Sequence, residues 1–203
     1  MSFFPFLLGF IASYVGSITP SMLNITAVKI GVEKSKSAAK KYAYGISFVV
    51  VFQSFFALYF LKIILNNPTI LSYIERGATL VFALLSFYFL KKALQEATQV
   101  ETAHIKMNDF FGGIFLSIIN LFSIPFYVGV GALFNKYHWI QLNPISLILF
   151  SIGSFLGTYL ILYHYILFAD TMKTTITKFS KYFNYVLSGI TGIVAIISLI
   201  KML

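Results

Sequence analysis

Six stretches of the chain are apolar for roughly the 20 residues that a helix needs to cross a bilayer. They cover 3–28, 42–61, 71–90, 110–134, 144–169 and 182–200. The first, second and fourth hold no charged residue. The third has Glu75 and Arg76 near its start, and the fifth contains His164 with Asp170 just beyond it. The joining segments are short; the longest, 91–109, mixes both charge signs and has room for a short surface helix. This pattern predicts an all-α integral membrane protein with six transmembrane helices in a single transmembrane domain, 1–203. The first stretch has no basic leader and is too long for a signal-peptide core, so it reads as a retained span.

Two of the six are interrupted by polar residues around a proline. In the first, Gly16-Ser17-Ile18-Thr19-Pro20-Ser21-Met22-Leu23-Asn24 sits between apolar flanks. In the fourth, Ser117, Asn120, Ser123 and Tyr127 surround Pro125. Proline in a helix removes a backbone donor and crowds the preceding turn. Thr19 can cap a restarted helix with Pro20 at its first position. The positive end of that half-helix then points into the membrane, where it attracts an anionic group such as a solute carboxylate.

The spans also repeat. Tyr73, Gly77, Thr79, Ala83 and Ser86 recur with the same spacing as Tyr185, Gly189, Thr191, Ala195 and Ser198. Gly9 with Ser13 before Pro20 parallels Gly113 with Ser117 before Pro125. The chain therefore reads as repeat one (1–95), a linker (96–108) and repeat two (109–203). Three spans per repeat force the halves into opposite orientation, an inverted repeat common in transporters.

Charge sets the orientation. Loops 29–41, 91–106 and 173–181 hold eleven lysines, against four basic residues on the other side, Lys62, Arg76, Lys136 and Lys201. The lysine-rich loops are predicted to be cytoplasmic, with both termini outside. The chain is 59% hydrophobic and only 10% charged, where soluble domains have about 25% charged residues. A net charge of +9 on a soluble protein suggests nucleic acid. Here the lysines end apolar runs, which makes them topology signals and headgroup anchors, with no nucleic-acid partner. There is no cysteine, hence no thiolate metal site, and no metal-ligand spacing or cofactor motif is visible.

The candidate solute-binding residues are Thr19, Pro20, Ser21 and Asn24 at the first break, Asn120, Ser123, Pro125 and Tyr127 at the second, and Gln53 in the second span. Asn120, Ser123 and Tyr127 share one helix face if the proline does not rotate it. The plainer readings are a proline kink, an interhelical polar stripe and, for Gln53, interhelical glue. His164 is the one titratable side chain well inside a span, which suggests proton coupling; flanked by Tyr163 and Tyr165, it also reads as part of an interfacial aromatic belt. No catalytic cluster of nucleophile and base is present at one depth, so an enzyme is not expected.

On these residues the chain resembles the LysE/RhtB family of amino-acid exporters. The resemblance rests on Gly9, Ser17-Ile18-Thr19-Pro20, Gly31, the lysine-rich loop through Lys41, Gly45, the "SFYFLKKAL" end of the third span, and Gly113 with Asn120. The chain departs from the family where Gly-Pro after Thr-Pro is Ser21-Met22, where Pro-Lys after the asparagine is Leu121-Phe122, and where a polar position in the second span is apolar near Val50. The resemblance implies a bacterial cytoplasmic-membrane secondary transporter that exports amino acids or related small zwitterionic solutes, driven by the membrane potential or a proton gradient. The alternatives are a metal or inorganic-ion exporter of the same superfamily, which would want buried carboxylates or thiolates, and a non-transporting scaffold. The oligomeric state stays open, a homodimer included.

Overall fold

The computed structural model describes residues 3–18, 21–67, 108–120 and 122–169, with further helical positions scattered over 83–94 and 185–200. Six helices are delimited: α1 (Phe4–Gly16), α2 (Met22–Glu33), α3 (Lys36–Leu65), α4 (Asp109–Ile119), α5 (Ser123–Lys136) and α6 (Pro144–Leu167). The two interrupted stretches each form two helices, α1 with α2 and α4 with α5. α3 and α6 are each long and apolar enough to cross a membrane, and α4 with α5 meets the same test as a pair bent by 65°. At 1.5 Å per residue α3 extends roughly 45 Å, beyond a hydrocarbon core of roughly 30 Å. Lysines 36, 40 and 41 at one end and Lys62 at the other therefore reach the headgroups.

The helices are apolar outside and polar inside. Phe48, Phe52 and Phe56 on α3, Phe111, Phe115 and Ile118 on α4, and Ile145, Ile148, Ile152 and Leu156 on α6 are exposed at helical spacing. Ser13, Ser47, Gln53, Ser54, Ser117, Ser151, Ser154 and Thr158 are buried. Exposed apolar stripes of this extent suit a lipid surrounding. Within the helices Ser47, Ser54 and Ser151 donate to the carbonyls of Ala43, Val50 and Leu147 one turn back, which satisfies the hydroxyls locally.

Short polar side chains set the helix starts. Ser35, Asn108 and Asn143 accept backbone N–H bonds from Ala38, Phe110 and Ser146, and Pro144 occupies the first turn of α6, where its missing donor costs nothing. α5 ends in a Schellman motif: Trp139 N–H bonds Phe134 O and His138 N–H bonds Asn135 O, with the Trp139 ring against Phe134. His138 takes the left-handed conformation, φ 58°, that such a cap requires.

Two compact units are distinguishable: Met1–Ile63 with Thr102–Met172, and Ile64–Glu101 with Lys173–Leu203. In the first unit, glycines let two helix pairs meet backbone to backbone. A methyl group on Gly9 would collide with Phe150 O, and one on Gly153 with Phe6 O, where α1 crosses α6. One on Gly113 would collide with Tyr42 O, and one on Gly45 with Phe110 O, where α3 crosses α4. The two crossings are matched residue for residue: Phe6 and Gly9 are spaced as Phe110 and Gly113, and Tyr42 and Gly45 as Phe150 and Gly153. Lys34, at the end of α2, pairs with Asp109, at the start of α4; each charge suits the helix end it occupies.

In the second unit Ser86 and Ser188 exchange hydrogen bonds, each hydroxyl donating to the other's carbonyl at 3.0 Å. Most of the repeat expected between the third and sixth spans, including Tyr73, Gly77, Thr79, Thr191, Ala195 and Ser198, lies outside the described residues.

Candidate functional site

At the first break, α1 ends at Gly16 and the Ser17 N–H returns to Ser13 O at 3.0 Å. Thr19 and Pro20 lie outside the described residues. The cap of the next helix differs from the expected one. α2 starts at Met22, and its N-cap is Ser21, whose Oγ accepts from Asn24 N. A serine hydroxyl next to the first turn fills the role expected of Thr19. Asn24 is buried and ties the break together: its Nδ2 donates to Ser17 O at 2.8 Å, and its Oδ1 accepts from Ser21 Oγ at 3.0 Å. The Tyr165 hydroxyl, from α6, donates to Ile18 O. Carbonyls released by the end of α1 thus receive side-chain donors, as an apolar surrounding requires.

At the second break the Asn120 N–H bonds Leu116 O and Ser117 O, both at 3.2 Å. The Asn120 side chain donates to Ser123 Oγ at 3.1 Å. Phe122 is the N-cap of α5, so Pro125 falls in the first helical turn, where the backbone donors are unsatisfied in any case. The shared face expected for Asn120, Ser123 and Tyr127 is split, because Asn120 belongs to the cap of α4 and only Ser123 and Tyr127 lie on α5.

Tyr127 is the point where three helices converge. Buried on α5, its hydroxyl bonds Ser13 Oγ of α1 at 2.8 Å. It faces Ser154 and Thr158 of α6, and its ring meets Phe150 edge-on at 6.2 Å. Thr158 Oγ1 is buried without a hydrogen bond. Ser154 and Thr158 were not singled out from the sequence; their spacing about Gly157 marks a small, polar helix face. Gln53 of α3 donates from Nε2 to Ser117 O at 2.9 Å, while its Oε1 is buried without a donor.

His164 lies in the last turn of α6. Its Nδ1 is 3.1 Å from the Tyr14 hydroxyl, the two rings meet edge to face, and Lys40 Nζ sits 5.0 Å above the neighbouring Tyr163 ring. Its surroundings are aromatic and close to a helix end.

An all-helical bundle with lipid-type outer faces, interrupted helices and inward hydroxyls and amides defines a multi-pass membrane protein. A family model described as LysE type translocator matches residues 14–201. The chain belongs to that family and is a membrane transporter. No match was found among curated proteins or among solved structures.

Proposed function

We propose that the protein exports amino acids or related small zwitterionic solutes across the bacterial cytoplasmic membrane by alternating access. The observation that carries this is the pair of interrupted helices in a translocator-family chain, each break following a helix C-terminus directly with a helix N-terminus. Opposite partial charges side by side, at membrane depth, suit a carboxylate and an ammonium on one small molecule. The N-termini of α2 and α5, with Ser21 and Ser123, take the carboxylate. Tyr127, Thr158 and Asn120 contribute the neutral dipoles that orient the solute. Thr19, Pro20 and Pro125 shape the breaks, and Asn24 holds the first one.

Six spans arranged as two inverted three-helix repeats are supported by the matched glycine crossings of α1 with α6 and α3 with α4. Those crossings join α1 to α6 and α3 to α4 across the two sequence halves, and in this reading the movement falls to the breaks. Loops 29–41, 91–106 and 173–181 are cytoplasmic in this reading, in keeping with the Lys34–Asp109 pair between the end of α2 and the start of α4. His164, hydrogen-bonded to Tyr14, is the candidate for proton coupling.

The test is efflux from proteoliposomes loaded with a panel of radiolabelled amino acids, with and without a proton gradient. Export of one or a few members is expected, falling at least tenfold in Asn120→Ala at unchanged abundance. Undiminished export by Asn120→Ala and Pro20→Ala would remove the breaks from the solute site, and no export by the wild-type protein would end the amino-acid reading.

A further inference from the structure

Protein donors reach carbonyls at both breaks. At the first, protein donors arrive: Asn24 Nδ2 on Ser17 O and the Tyr165 hydroxyl on Ile18 O. At the second, Ser117 O, which already accepts the Asn120 N–H at 3.2 Å, takes Gln53 Nε2 as a second donor. Gln53 also brings an acceptor, Oε1, that no donor reaches among the described residues. The amide cannot be turned round, because Ser117 O only accepts. The local hydroxyls are committed elsewhere. Ser54 Oγ donates to Val50 O, and Ser117 Oγ to Ile46 O. Gln53 is 8% exposed, and its Oε1 has no donor. The C-terminal end of α4 adds its own negative pole. A buried amide oxygen without a partner costs more than an apolar side chain of the same shape, so a structural role alone does not account for glutamine here.

We infer that Gln53 Oε1, beside the C-terminal turn of α4, marks a subsite for a monovalent cation. Its chemistry is that of a neutral amide oxygen, near the negative end of a helix, suited to one positive, donor-rich or oxygen-seeking group. Two sources supply such a group: the ammonium of the transported solute, or a free sodium ion that accompanies it. This deepens the reading of the protein as a zwitterion exporter, and its first arm rests on that reading. No residue of opposite charge is needed, since carbonyl and amide oxygens at a helix C-terminus coordinate cations at membrane depth.

The test compares the wild type with Gln53→Leu and Gln53→Met in proteoliposomes; methionine keeps the length of the side chain if leucine reduces abundance. Efflux is measured for an exported amino acid and for its N-acetyl derivative, which lacks the ammonium. Melting of the purified proteins is compared in sodium chloride and choline chloride at equal ionic strength. If the ammonium occupies the subsite, the wild type prefers the free amino acid at least tenfold, and the preference collapses in the variants through KM, with N-acetyl efflux unchanged. If sodium occupies it, sodium raises the wild-type melting temperature over choline and does not raise that of the variants. Unchanged preference together with unchanged sodium response, in folded variants, overturns the inference and leaves Oε1 with a structural water only. Should the wild type export no amino acid, the proposed function fails, and the sodium comparison alone then decides the subsite.

Discussion

Tyr127 shows how one hydroxyl can join distant parts of a chain inside a membrane. It bonds Ser13 across 114 positions of sequence and faces the unpartnered Thr158. A bond of this kind is worth about 0.6 kcal/mol in a membrane bundle, too little to decide folding. Tyr127→Phe is therefore expected to melt within a few degrees of the wild type while export falls at least tenfold, read as parallel melting and proteoliposome efflux. His138 offers the opposite case, a residue whose cost is purely conformational. Its φ of 58° lies where a side chain is penalised and glycine is not. His138→Gly should raise stability by about 1 kcal/mol, visible as a higher melting temperature with export unchanged. Of the residues expected to bind solute, Asn24 and Asn120 have side chains bonded within the breaks. Sequence spacing could nominate such polar groups, but a side chain's partner depends on which helices lie across from it.

At the scale of elements, the helix pairs depend on glycine for a reason that differs from turn geometry. Gly9, Gly45, Gly113 and Gly153 each face a carbonyl of the partner helix at a distance that leaves no room for a methyl group. Backbone cannot swing aside as a side chain can, so overpacking here should cost about 1–3 kcal/mol. Gly45→Ala and Gly153→Ala are expected to lower the melting temperature and the yield of folded protein by size-exclusion chromatography. Gly129, on α5, has nothing near its missing Cβ. Gly129→Ala should be neutral or stabilising by up to about 1 kcal/mol from helix propensity. The breaks themselves were legible from proline among serines and asparagines. Their caps were not, because Thr19 and Ser21 are both good caps and only the placement of the first turn chooses between them.

For the whole molecule, the absence of cysteine makes orientation directly measurable. Single cysteines at Ser35, between α2 and α3, and at Gln141, between α5 and α6, sit at loop positions. In intact cells Gln141→Cys is expected to react with a membrane-impermeant maleimide and Ser35→Cys only after permeabilisation; the reverse pattern would invert the topology. The chain's sequence by itself determined that this is a helical membrane protein, where its apolar segments and breaks fall, and which family its motifs resemble, because hydrophobic length, proline and lysine act locally and leave their mark residue by residue. Tertiary structure alone decided that α1 lies on α6 and α3 on α4, so that helices of the two sequence halves are joined. It alone brought Ser13, Tyr127 and Thr158 to one point and left Gln53 Oε1 without a donor. Those outcomes arise from backbone approach and from the balance of buried donors and acceptors across helices far apart in sequence, and no local pattern carries that balance.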